Sequence, residues 1–291
     1  LANYVVHFDY INRLYLRSKV MFTVANHVRF SLFTGYAIVA GWILYEKGYY
    51  LKYRVERKLL LAGIVVAYIF LHLLAVRSGI FAFYAVAGLY AVFLLFWQKR
   101  FKKGLAVIAL LLVSPLLSYA VLPTYQNKYL NTVEDVEKAS KGKGAGTHSL
   151  SGRVYTYKTA LLAAKENWLI GTGIADVQDE IHKQYAAHFP EIDEDHYMMP
   201  HNQYLYYLVA FGLVGFVFFM LCFYYPFFQS IPFREPLLLS HYLFVSLSFL
   251  VEPTLETQLG ITYSLIFLLL PVFYLKQLDR SKSYLYKVRG V

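Results

Sequence analysis

Residues 59–97 read LLLAGIVVAYIFLHLLAVRSGIFAFYAVAGLYAVFLLFW, two apolar runs joined by Arg77-Ser78-Gly79. Arg77 is the sole Asp, Glu, Lys or Arg in that stretch. Each run has the roughly 20 residues that a helix needs to cross about 30 Å of hydrocarbon. Neither alternates at period two, as a barrel strand would. In hydrocarbon every backbone N–H and C=O must be bonded within the segment, so both runs are membrane helices.

The pattern repeats outward from there. Seven apolar segments are expected at about 30–46, 59–76, 79–97, 104–122, 203–225, 237–252 and 260–276. The chain is 58% hydrophobic and 16% charged, against about 25% charged in soluble domains, which predicts an all-α, polytopic transmembrane bundle in the lipid bilayer. The net charge of +10 does not indicate nucleic acid, because the basic residues cluster in short loops between apolar runs. The single cysteine, Cys222, excludes an intrachain disulfide and a cysteine-based metal site. Leu1 in place of Met, and a first span without a signal-peptide layout, lead us to expect the C-terminal part of a longer protein.

Lys47, Lys52, Arg54, Arg57 and Lys58, then Lys99, Arg100, Lys102 and Lys103, then Arg234, then Lys276, Arg280, Lys282, Lys287 and Arg289 fall on one side when the spans alternate. The positive-inside rule makes that side cytoplasmic. Residues 1–29, Arg77, the 123–200 loop and the Glu252–Glu256 loop then face outward. Three regions follow: 1–122 with spans one to four, 123–200 as an outer loop, and 201–291 with spans five to seven and a basic tail.

Within the outer loop, 126–149 reads as mobile, since Lys138 to Thr147 (KASKGKGAGT) has nothing to bury. Val154, Tyr157, Leu161, Ala164 and Trp168 fall at helical spacing and predict an amphipathic helix over 151–168, capped by Ser149 or Ser151 and ended by Gly171 and Gly173. A second helix is expected at about 175–188, stopped by Pro190 and the acidic run 191–195. Pro200 suits the first turn of the next helix.

Three residues stand out on the outer side. Arg77 sits between two spans, Arg153 in the first turn of the amphipathic helix, and His201, with Asn202, at the start of a membrane helix. Helix N-termini favour anions. Two arginines can neutralise a diphosphate through bidentate hydrogen bonds, and a neutral histidine can take the proton of an attacking hydroxyl. Together they would transfer a sugar from a polyprenyl diphosphate to an alcohol, with no metal and no cofactor. Each also has a plainer reading: Arg77 as a snorkelling anchor, Arg153 as a solvated charge, His201 as a helix cap. Arg29 and His72 are further candidates for the same cavity, and Glu252 and Glu256 for pairing with an arginine or binding the acceptor sugar. His182 and His188 read as solvated, His241 as bonded to a neighbouring helix. Asp193-Glu194-Asp195-His196 has metal-ligand residue types, but adjacent acids usually face water.

The ordered set of Arg77-Ser78-Gly79, a Gly152-Arg153 pair opening RVYTYKTAL, NWLIGTG at 167–173, HNQYL at 201–205 and Phe211-Gly212-Leu213-Val214-Gly215 resembles the O-antigen ligase and O-antigen polymerase superfamily of bacterial inner membranes. The likeness covers about 150–216, and more weakly 60–275. It implies a GT-C-like, metal-independent glycosyltransferase working on the periplasmic face. The donor would be a glycan on undecaprenyl diphosphate, and the acceptor lipid A–core or another lipid-linked glycan. By that resemblance Arg77 and Arg153 contact the diphosphate, His201 activates the acceptor hydroxyl, and the anomeric centre inverts. Such proteins have about a dozen spans, against seven here, and this loop carries an additional Lys/Gly insert at 138–147. Ligation is the preferred reading and polymerisation the alternative. A cell-envelope transporter or flippase is the competing class; it predicts internal repeats and mid-membrane polar sites, which these spans lack.

Overall fold

The computed structural model describes the chain except residues 25, 49–50, 141–148, 231–232, 234 and 290–291, and the side chains of 138–140, 149–151 and 278–289 besides. Arg234, the possible Ser149 and Ser151 caps, most of the Lys/Gly insert and the last basic side chains of the tail thus lie outside the description. Every regular element among the described residues is helical. The chain divides into two compact units, Leu1–Gly152 and Arg153–Val291.

The first unit holds α1 (Ala2–Val6), α2 (Phe8–Leu16), α3 (His27–Lys47), α4 (Arg54–Leu74), α5 (Arg77–Phe96), α6 (Phe101–Val121) and α7 (Pro123–Ser140). Asn26 caps α3 by accepting from the Val28 N–H at 2.9 Å, and Gly48, at φ 64°, ends it. Glu56 reaches back to the Lys52 and Tyr53 N–H groups at the start of α4, satisfying donors that a helix start leaves open. Helices α3 to α6 are each long and apolar enough to cross a membrane.

α3 and α5 approach at Ser31 and Gly79. A Cβ on Gly79 would stand 2.6 Å from the Ser31 carbonyl carbon, so backbone meets backbone and neither can give way. Gly79→Ala is expected to cost about 1–3 kcal/mol through overpacking and to lower the thermal midpoint in detergent. Gly88→Ala, whose Cβ meets nothing within 4 Å, is expected to leave it unchanged.

The expected mobile segment is corrected in part. α7 is a regular helix to Ser140, fastened by polar contacts rather than an apolar stripe. Thr124 donates to the Leu73 carbonyl at 2.7 Å, Asn131 donates to the Tyr15 carbonyl at 2.9 Å, and the Tyr15 hydroxyl donates to the Leu74 carbonyl at 2.8 Å. These bonds tie α7 and α2 to the turn between α4 and α5.

α8 (Ser149–Glu166) carries the boundary between the units. α9 (Val177–His188), α10 (Gln203–Phe228), α11 (Pro236–Phe249) and α12 (Gln258–Arg289) follow, with short 3₁₀ turns at Glu194–His196 and Thr254–Glu256. Lys183 of α9 bonds Glu166 of α8 at 2.8 Å, and that ammonium holds the Glu166 carboxyl below its usual range. Among the described residues six helices rather than seven have the length and composition of a span, because α11 has only 14 residues, about 21 Å of helix; α10 is one of the six by length and composition alone. α11 starts where expected, with Glu235 as its cap and Pro236 in its first turn, and ends early at Phe249.

α10 is not a rod. Tyr204 and Tyr224 lie 20 residues apart, about 30 Å along a straight helix, yet their hydroxyls are 2.9 Å apart. The rings of Tyr207 and Phe219 are 4.7 Å apart. The chain doubles back at Gly212, at φ 61° and ψ −169°. The reversal breaks the bonds that Leu213 and Val214 would make to the carbonyls of Val209 and Ala210. The extended segment after α8 takes up all four groups. Leu213 and Val214 donate to the Trp168 and Leu169 carbonyls at 2.7 and 3.1 Å, while Thr172 and Gly173 donate to the Val209 and Ala210 carbonyls at 2.9 Å each. The expected single span over 203–225 is therefore a helical hairpin.

Candidate functional site

Arg153, His201 and Glu252 meet in the second unit. Arg153 lies one turn into α8. His201 precedes α10, whose first turn is capped by Asn202: its Oδ1 accepts from the Leu205 N–H at 3.1 Å. Glu252 lies in the turn between α11 and α12 and is 6% exposed. Its Oε1 stands 3.9 Å from Arg153 Nη2 and 3.9 Å from His201 Nδ1. Those separations are ion contacts rather than hydrogen bonds. One buried carboxylate thus faces both the arginine and the imidazole, and the neighbouring charge offsets the cost of burying it.

The cluster is braced by side chains that sequence reading passed over. Tyr157, one turn beyond Arg153, donates to the Leu250 carbonyl at 2.5 Å. Asn202 donates to the same carbonyl at 3.4 Å. Gln203 is fully buried; its Oε1 accepts from the Leu255 N–H at 2.6 Å and its Nε2 donates to Glu256 at 3.0 Å. Gly260 abuts the Thr254 carbonyl with no room for a Cβ. Three elements distant in sequence are thereby set around Glu252. The available signal for Gln203 was a polar side chain at the head of an apolar run, a place where burial obliges a polar group to find partners. Glu256, expected near substrate, is engaged with Gln203.

Arg77, Arg29 and His72 belong to the first unit. Arg77 is the first residue of α5, and its Nη2 stands 3.5 Å from Asp135 of α7, a buried carboxylate. Arg29 is half-buried in the first turn of α3, two residues before Ser31, as Arg77 is two before Gly79. The two arginines therefore head helices that close on each other at that approach. His72 is buried, with Nδ1 donating to the Tyr68 carbonyl and Nε2 accepting from the Tyr84 hydroxyl, both at 2.9 Å. Tyr68 bonds Ser114 of α6. Nδ1 of His72 thus bonds within α4, and Nε2 joins α4 to α5. His241 bonds the Tyr263 carbonyl of α12 at 3.1 Å, as expected for a histidine inside an apolar helix.

In the acidic run, His196 Nδ1 stands 4.0 Å from Asp193. Among the described residues no three His, Cys, Asp or Glu side chains gather as metal ligands.

These features define a class: an all-helical, multi-pass membrane protein with a buried carboxylate, an arginine and a histidine at its helix ends. The family model described as O-antigen ligase matches residues 60–220, more than half of the chain, and the protein belongs to that family of membrane glycosyltransferase-like enzymes. No curated protein and no solved structure matches the chain. The matched residues include His72, Arg77, Arg153, His201 and Gly212 and stop before Glu252.

Proposed function

We propose that this protein transfers a glycan from undecaprenyl diphosphate to a sugar hydroxyl on the periplasmic face of the bacterial inner membrane, with ligation of O-antigen to lipid A–core as the preferred reaction. The observation that carries the reading is Glu252 set between Arg153 and His201. A carboxylate facing Nδ1 orients an imidazole so that Nε2 points at the reacting hydroxyl. The acceptor oxygen attacks the anomeric carbon, the bond from that carbon to the diphosphate breaks, and the hydroxyl proton passes to His201. Direct displacement inverts the anomeric centre. Undecaprenyl diphosphate leaves with its charge matched by Arg153; the same role is proposed for Arg77, with Arg29 as a further contact, on the family resemblance alone. Asn202 sets the pitch of the helix start that carries His201, and Glu256 holds Gln203 beside it. The chemistry calls on no metal and no cofactor.

The test is complementation of a deletion strain with wild type and with His201→Ala. Extracted lipopolysaccharide and lipid-linked glycan are compared on gels. Loss of capped lipopolysaccharide with accumulation of long lipid-linked glycan is expected. Lipid-linked glycan halted at single repeats would make the protein a polymerase of the same family. No change in either pool would overturn the transferase reading and favour transport or assembly.

A further inference from the structure

The segment that plugs the break in α10 has a second property. Residues 168–174 read WLIGTGI, and their large apolar side chains point away from the protein: Trp168 is 58% exposed and Ile170 75%, with Leu169 and Ile174 also exposed. A loop in water has no reason to present four such groups within seven residues. The neighbouring surface of α10 is of the same kind. Leu213, Val214 and Phe218 are exposed, and no polar side chain interrupts 213–221. The apolar surface of the plug therefore runs without a seam into the apolar flank of a helix with the composition of a span.

Backbone outside a helix is tolerated within hydrocarbon only when its polar groups are bonded within the protein. The four bonds between 168–173 and 209–214 meet that demand. Trp168 has the residue type that favours the lipid–water boundary.

We infer that residues 168–174 form a re-entrant tip inserted among the acyl chains of the outer leaflet, so that the loop between α6 and α10 is not wholly in water. The occupant of this surface is lipid. The tip joins the end of α8 to the bend of α10, and the same two helices carry Arg153 and His201 at their other ends. Lipid contact would therefore fix the depth of the residues around Glu252.

The test uses the protein reconstituted in phosphatidylcholine vesicles. Of this chain's three tryptophans, Trp42 and Trp97 are replaced by phenylalanine, which leaves Trp168 to report. Lipids brominated near the top of the acyl chains are expected to remove much of the Trp168 emission. Absence of bromolipid quenching overturns the inference. Quenching by aqueous iodide in that case would place the tip in water, and quenching by neither would mean that a second copy or another protein segment covers it. If the double variant does not fold, Ile170→Cys in a Cys222→Ser background, labelled with bimane, gives the same readout.

Discussion

Gly212→Ala is expected to abolish the folded second unit, seen as loss of monodisperse protein on extraction and a fall of many degrees in thermal midpoint for whatever remains. Two costs add. Gly212 occupies φ 61° and ψ −169°, a region nearly closed to residues with a Cβ and worth about 1–3 kcal/mol of strain. A Cβ there would also stand 2.5 Å from the backbone nitrogens of Ile170 and Gly171. Those atoms cannot retreat without stretching the four backbone bonds between 168–173 and 209–214. In a membrane-embedded segment, broken backbone groups find no water to replace them. Gly171 faces the same contact from the other side: its φ is 74°, and its Cβ would meet the Ala210 carbonyl at 2.5 Å. Gly171→Ala should therefore resemble Gly212→Ala. Gly63→Ala, with open space around it, should not. Recovery of Gly212→Ala at wild-type yield and melting temperature would show that the hairpin is not the resting form of α10.

The helical membrane class was legible because apolar runs of span length leave few backbone solutions. α8 and α9 were legible as helices from their apolar spacing, but α8 buries Thr156, Thr159, Ala160 and Ala163 and leaves Val154, Leu161 and Trp168 of the expected face exposed. The structure gives the two helices as Ser149–Glu166 and Val177–His188, within two residues of the ends read at 151–168 and 175–188. The hairpin in α10 was not legible from hydropathy. Residues 203–228 are apolar on every face, so length alone read as one crossing. The available signal lay in two places at once, Gly212 inside the run and Gly171 with Gly173 in the loop, each useful only against the other. α7 was missed because its anchors are Thr124, Asn131 and Asp135, polar side chains with no apolar period. Glu252 could be named as a candidate partner for an arginine. Its place between Arg153 and His201 depends on Tyr157, Asn202 and Gln203 meeting the 250–256 turn across some 50 to 90 residues of sequence, which no local pattern records.

Glu252→Gln is expected to lower glycan transfer by about 100-fold or more, the scale of a lost acid–base arrangement, while the protein still folds. The amide keeps the shape of the carboxylate, so packing against Thr254 and the 3₁₀ turn survives. It removes the charge that faces both Arg153 and His201 at 3.9 Å. His201 then has no anion to fix its ring, and Arg153 no fixed partner on its protein side. The loss should fall on kcat more than on the donor KM, because a misoriented imidazole still permits the diphosphate to bind. Glu252→Asp keeps the charge on a side chain one methylene shorter and should recover part of the rate. Glu252→Ala should behave differently. It leaves the Arg153 guanidinium and the His201 imidazole around an empty, buried position, and removing one partner of a buried charged pair costs about 3–5 kcal/mol. Arg153 and His201 are themselves 24% and 35% exposed, so solvent reduces that cost, but a drop in thermal midpoint is still expected. Steady-state transfer from a synthetic lipid-linked donor, measured for all three variants at equal protein, separates the cases. Wild-type kcat in Glu252→Gln would show that the carboxylate only holds the turn. A gain in KM with kcat intact would place it in substrate binding instead of the orientation of His201.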